Sequence, residues 1–80
     1  MSEKDTMLDA RGLLCPEPIM LLHKKIRQMA PGAILTVIAT DPSTERDIVK
    51  FCQFLEHELL SHEVKSGEYH YCIQKAKAAE

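Results

Sequence analysis

Arg11-Gly12-Leu13-Leu14-Cys15-Pro16-Glu17-Pro18 is the point at which the pattern of this chain changes. Ahead of it, Thr6 to Ala10 has the length and composition of a short strand. Behind it, from Pro16 to Ala30, the apolar Ile19, Leu22, Ile26 and Met29 recur at spacings of three and four and draw one face of a helix. Gly12 and the two prolines therefore mark a loop-to-helix junction, and such junctions lie at the surface. Proline suits the first helical turn, where its missing N–H has no intrahelical partner to lose. Cys15 accordingly stands at or beside the N-cap, with its sulfur near the positive end of the helix dipole. That end favours a thiolate, and the thiolate is the nucleophile. Because Pro18 lacks a donor, the Glu17 N–H is the group expected to face the sulfur. Two side-chain charges act in opposite senses: Glu17 opposes ionisation when turned toward the sulfur, and Arg11 favours it. Which of them prevails is open at this level. The competing role for Cys15 is that of most free cysteines, a small buried hydrophobe; the surface junction argues against it.

Outward from this junction the chain reads in order. Pro31-Gly32 stops the first helix. Ala33 to Ala39 is apolar and β-branched almost throughout, the signature of a strand well inside a sheet. Asp41-Pro42 opens a second helix, with Asp41 as N-cap and Pro42 at the first helical position. Its apolar face is Ile48, Phe51, Cys52 and Leu55, and Glu45, Arg46 and Lys50 are left for solvent. No glycine or proline ends it, so its stop is set near Glu56 to Glu58. Leu59 to Lys65 and Glu68 to Lys75 are then two strands, joined at Ser66-Gly67 as a hairpin, with Tyr69, Tyr71 and Ile73 alternating on one face. The order βαβαββ fits an α+β two-layer sandwich, two helices on one face of a four-stranded mixed sheet. Pattern supplies the element order and leaves the strand order open.

Eighty residues make a single domain, 1–80, with loose tails at 1–5 and 77–80. Such a domain buries a modest core, and with no Trp, 2 Tyr and 2 Phe that core must be largely aliphatic. A net charge of −2 of mixed sign argues against nucleic acid as a direct partner. No apolar run approaches membrane-spanning length, and Met1-Ser2-Glu3-Lys4-Asp5 is too polar for a signal peptide. The 3 cysteines, odd in number and widely spaced, fit free thiols in a reducing cytoplasm.

Leu8-Asp9-Ala10, Gly12 and the box Cys15-Pro16-Glu17-Pro18 resemble the N-terminal signature of the TusA/SirA family of small sulfur carriers. The likeness continues through Met29-Ala30-Pro31-Gly32, Asp41-Pro42, Arg46-Asp47-Ile48, Phe51 to Leu59 and Tyr69 to Lys75. It covers nearly the whole chain, and Glu56-His57-Glu58-Leu59 leans toward the TusA branch. Cys-Pro-x-Pro by itself is a weak motif; the ordered blocks at matching separations are specific. The resemblance implies the same α+β fold and a covalent carrier in which Cys15 accepts sulfane sulfur as a persulfide. It further implies an IscS-like cysteine desulfurase as donor and Tus-type relay proteins as acceptors, with the sulfur ending as the 2-thio group of wobble uridine in transfer RNA. Gly12, Pro16, Glu17 and Pro18 are the supporting motif. One departure stands out: Thr40 precedes Asp41-Pro42 where relatives often carry an acid, which puts any partner contact made by that acid in doubt.

The remaining candidates are weaker. Cys52 lies mid-helix in line with Ile48 and Leu55 and reads as core. Cys72, in the last strand, can fall on either sheet face. There is no Cys-x-x-Cys, so a thioredoxin-type mechanism lacks its resolving thiol. His57 and His62 are five apart, one residue too many to share a helix face as zinc ligands, and His23 and His70 have no ligand partner at a recognisable spacing. No metal or cofactor is therefore expected. His23 merits attention because it lies within two turns of Cys15. Lys24, Lys25 and Arg27 are either a solvated helix face or a docking patch for an acidic surface. Asp41 has a second reading, as a partner contact. With no base, oxyanion hole or metal to assign to Cys15, turnover of its own is not expected; group transfer is. The alternatives are a regulatory or scaffold module with a structural Cys15, and a redox protein.

Overall fold

The computed structural model describes residues 5–76, and side chains from Thr6 onward. Six elements follow in the expected order: β1 (Asp5–Ala10), α1 (Glu17–Arg27), β2 (Ile34–Ala39), α2 (Thr44–Leu55), β3 (Glu58–Lys65) and β4 (Glu68–Gln74). The strands form one sheet in the order β1-β2-β4-β3. β2 pairs parallel to β1 and antiparallel to β4, and β3 pairs antiparallel to β4. Asp5, placed in the N-terminal tail by sequence, is the first residue of β1; the rest of both tails, 1–4 and 77–80, lies outside the described residues. Among the described residues no helix is long and apolar enough to cross a membrane.

The helical face of the sheet carries the core. Leu8, Leu35, Val37, Tyr71 and Ile73 alternate along the strands and meet Leu22, Ile26 and Met29 from the α1 side and Ile48, Phe51 and Cys52 from α2. β2 is central, as its composition requires, but its two faces differ. Leu35, Val37 and Ala39 are fully buried, whereas Ile34 and Thr36 on the opposite face are half-buried. Cys72 falls on that open face, opposite Thr36 and Ser61.

Three boundaries depart from expectation for local reasons. α1 ends at Arg27 rather than Ala30, because the N–H groups of Gln28 and Met29 tighten to the i−3 carbonyls of Lys25 and Ile26 ahead of Pro31. α2 starts at Thr44, with Ser43 as cap, because Asp41 and Pro42 form a turn that feeds it: Thr44 N–H donates to the Asp41 carbonyl at 3.0 Å and Glu45 N–H to that of Pro42 at 3.1 Å. α2 stops at Leu55 because Glu56 takes the left-handed conformation (φ 64°) that glycine usually supplies, and the His57 N–H returns to the Cys52 carbonyl. Leu55, expected on the buried stripe, is 37% exposed. The hairpin turn is as read, with both Ser66 (φ 49°) and Gly67 (φ 78°) left-handed, as a type I′ turn requires.

One buried polar pair crosses the layers. Thr44 Oγ1 lies 2.8 Å from Tyr71 Oη and 2.8 Å from the Asp41 carbonyl. A hydroxyl has one hydrogen, so Thr44 donates to the carbonyl and Tyr71 donates to Thr44. Burial raises the Tyr71 phenol above its ordinary range, keeping it the donor. Thr44→Val therefore strands a buried phenol and should cost about 1–3 kcal/mol, whereas Tyr71→Phe removes the phenol and should cost about 1 kcal/mol. Urea unfolding of the two variants checks the order.

His57 closes the C-terminal end of the fold. Its Nδ1 accepts the Ala76 N–H at 2.8 Å, an arrangement open only to the neutral ring. Burial, aided by the charges of Lys75 and His23, holds its pKa below the ordinary value. The unfolded chain then takes up a proton first as pH falls, so this contribution to stability is intact above about pH 6.5 and is lost as pH drops through the folded-state value. The urea midpoint should fall across that window in the wild type and less so in His57→Asn.

Candidate functional site

Cys15 sits on the loop between β1 and α1, exposed, one residue ahead of the helix cap at Pro16. The Cys15–Pro16 peptide bond is cis. Backbone N–H groups along this loop are tied down. Leu13 N–H donates to the Ala10 carbonyl at 3.3 Å, Gly12 N–H to Thr40 Oγ1 at 2.9 Å, and Cys15 N–H to Asp41 Oδ2 at 2.7 Å. Gly12 turns the chain at φ 82°, and an added Cβ would have room, so its requirement is torsional rather than steric.

Asp41 divides its carboxylate between two segments. Oδ2 takes the Cys15 N–H, while Oδ1 takes the Ser43 N–H at 3.0 Å, in the turn that starts α2. These backbone donors, Ser43 first and then Cys15, draw the Asp41 carboxyl below the ordinary carboxylate range. Asp41 is thus not the N-cap it was expected to be, a place taken by Ser43, but the side-chain acceptor of the turn ahead of α2 and the anchor of the cysteine loop.

The sulfur itself meets α2. Cys15 Sγ–H donates to Asp47 Oδ2 at 3.6 Å, and Arg46 Nε holds the other oxygen, Oδ1, at 3.2 Å. Two expected neighbours of the sulfur are engaged elsewhere. The Glu17 N–H closes the turn onto the Leu14 carbonyl at 2.9 Å. Arg11 grips Asp9 through two contacts at 2.8 and 2.9 Å and reaches Glu68 at 3.5 Å. The Arg11 hydrogen bonds hold the Asp9 carboxyl down at about 2. A bidentate carboxylate partner two residues away outcompetes the thiol for the guanidinium.

Beside the cysteine loop, Pro16, Ile19, His23, Asp47, Phe51 and Phe54 line a groove of about 670 Å³ between the two helices. Phe54 is 86% exposed on its rim. His23 meets Phe51 edge to face at 4.6 Å. Of the other candidates, Pro18 is buried beneath the helix start, Glu17 points to solvent, and Lys24 and Arg27 are exposed in the last turn of α1, at the end of the helix away from Cys15. Cys52 is core, and burial pushes its thiol up to about 11. His62 stacks on Tyr71 and faces Glu45 at 3.2 Å, while His70 faces Glu68 at 3.2 Å. Sequence reasoning gave no role to Thr40, Asp47 or Phe54. Phe54 had a signal, since it falls off the Ile48, Phe51, Cys52 stripe; Thr40 and Asp47 act across the fold and had none.

A profile of the family described as Sulfurtransferase TusA matches residues 6–75. The chain is 61% identical over 71 residues to proteins named Sulfur carrier protein TusA from Pseudomonas paraeruginosa and Pseudomonas aeruginosa, covering 89% of this chain and 90% of each relative. A protein of the same name from Pseudomonas putida (strain W619) is 59% identical over 89% of both chains. The crystal structure of a SirA-like protein from Desulfitobacterium hafniense shares the fold at a TM-score of 0.79 and 19% identity, over 89% of this chain and 97% of that one.

Removing the Asp41 carboxylate frees both segments it holds. Asp41→Ala should lower the thermal midpoint and speed hydrogen exchange at the Cys15 and Ser43 amides together. Asp41→Asn keeps one acceptor oxygen and should protect one amide better than the other.

Proposed function

The chain belongs to the TusA family, and on that premise we propose that it is a covalent sulfur carrier whose working group is Cys15. The observation that carries the reading is an exposed sulfur at the head of α1, on a loop whose backbone is tied to Thr40 and Asp41. Such a sulfur can enter another protein's active site without unfolding its own support.

The transfer is a sulfur-centred displacement. Cys15, having lost its proton, attacks the terminal sulfur of a persulfide on a cysteine desulfurase. The new S–S bond forms as the donor's S–S bond breaks, and its electron pair leaves on the donor cysteine. Cys15 then carries Cys–S–SH. An acceptor thiolate from a downstream relay protein attacks that outer sulfur, and Cys15 leaves as the thiolate it began as. Each step trades one S–S bond for another, so no outside oxidant or reductant enters. The protein returns unchanged, a carrier rather than a catalyst with turnover of its own.

The donor is an IscS-like desulfurase and the acceptors are Tus-type relay proteins of the cytoplasm, with 2-thiolation of the transfer-RNA wobble uridine as the endpoint. The chain itself need not touch the RNA, in keeping with its mixed surface charge. Gly12 and the Pro16-Glu17-Pro18 segment serve as the mount of Cys15. Lys24 and Arg27 offer cations to an acidic partner surface. Asp41 contributes by holding the loop that the partner meets.

Incubation with an active cysteine desulfurase and cysteine, followed by intact-mass spectrometry, should show a one-sulfur adduct on the wild type. Reductant should remove it, and Cys15→Ser should lack it. An adduct that persists in Cys15→Ser would move the site to Cys52 or Cys72; no adduct on the wild type would favour a binding module with a structural Cys15.

A further inference from the structure

We propose that Thr40 is a positioning residue for sulfur transfer: with its neighbour Asp41 it pins the cysteine loop at two points, so that Cys15 meets a docked partner in one fixed orientation. The inference rests on the carrier reading of Cys15 and adds to it a side chain that never touches the reacting sulfurs.

β1 and β2 run parallel with Ala10 beside Ala39, so the chain leaves the sheet twice at neighbouring points. The cysteine loop begins at one exit, and Thr40 and Asp41 stand at the other. Thr40 Oγ1 accepts the Gly12 N–H at 2.9 Å, and Asp41 Oδ2 accepts the Cys15 N–H at 2.7 Å. Two adjacent residues thus hold both ends of the 12–15 segment, across sequence separations of 28 and 26. One pin alone leaves a segment free to swing about it; two fix its direction. The Asp41 pin is itself braced, by the Ser43 N–H at 3.0 Å and by the Thr44 hydroxyl on its carbonyl at 2.8 Å. The Thr40 pin holds Gly12 where the chain turns at φ 82°. Thr40 is exposed and has no share in the core, and among the described residues the Gly12 N–H is the hydrogen-bond partner of its hydroxyl.

Transfer depends on that direction. Displacement at sulfur needs the attacking sulfur in line with the bond that breaks, so the docked complex must hold three sulfur atoms in one geometry. A loop that is ordered only on docking loses conformational freedom at that step, whereas a loop already pinned does not. The Gly12 N–H is a neutral donor, and a hydroxyl oxygen accepts it as a carboxylate oxygen would. Position 40 therefore needs an acceptor rather than a charge, and threonine in place of an acid keeps the contact that orders the loop.

Single-turnover transfer from a cysteine desulfurase already carrying its persulfide tests this. Intact-mass spectrometry follows the one-sulfur adduct with time for wild type, Thr40→Val and Thr40→Ser, each at several concentrations. The series gives a limiting rate and a half-saturating concentration for each protein. Thr40→Val keeps the shape of the side chain and removes the acceptor. Its limiting rate should fall about two- to tenfold, the range that one net hydrogen bond spans, with the half-saturating concentration unchanged. Thr40→Ser returns the hydroxyl and should return the rate. Iodoacetamide reaches the sulfur without docking and should alkylate Cys15 equally fast in all three. Thermal unfolding establishes that each variant is folded. A folded Thr40→Val with the wild-type limiting rate overturns the proposal. So does a change confined to the half-saturating concentration, which would make Thr40 a partner contact, or a parallel change in alkylation, which would place the effect on the thiol itself. A Thr40→Ser that stays as slow as Thr40→Val overturns it too. Loading that is indifferent to Thr40 leaves the carrier reading standing, whereas a wild type that never loads overturns that reading and this proposal with it.

Discussion

Two hydrogen bonds to one carboxylate hold the cysteine loop to the start of α2. Asp41 accepts the N–H of Cys15 with one oxygen and the N–H of Ser43 with the other. The β1–α1 loop has few backbone partners of its own, and the turn ahead of α2 has donors that need satisfying. One side chain meets both needs. The same residue's carbonyl receives the Thr44 hydroxyl, which in turn receives the Tyr71 phenol from the middle of the sheet. The position of the exposed cysteine is thereby traceable, bond by bond, to a buried residue of β4.

Much of the fold was legible in the chain because it rests on period and punctuation. Leu22, Ile26 and Met29 are buried where a 3.6-residue period put them, and Ala33 to Ala39 could only be a well-covered strand. Boundaries were less legible, since they depend on backbone choices that side chains do not announce. Glu56 adopts a left-handed conformation without being glycine, and Asp41-Pro42 forms a turn before the helix rather than its first residues. The extra two residues change which groups Asp41 can reach, and the sequence has no pattern that measures such an offset.

The candidate site divides along the same line. Cys15 and its proline mount stand in one stretch and could be read there. What surrounds the sulfur could not, because Thr40, Asp41 and Asp47 arrive from 25 or more residues away. Arg11 shows the opposite failure: adjacency in sequence made it a candidate neighbour of the thiol, yet Asp9 is closer along the same strand end and satisfies it in two places. Local charge patterns indicate what is available to a site, and only the fold decides which charges are already committed.

Among the described residues the sheet order leaves two edges, β1 and β3, and exposed strand edges are a hazard of their own. Unpaired strand edges recruit other strands regardless of their identity. β3 carries Glu58, Glu63 and Lys65 along its length, and the register slips between Leu59 and Ser61, which breaks the flat ladder another chain could extend. β1 is only 6 residues long and brings Asp9. Association along the backbone is thus discouraged.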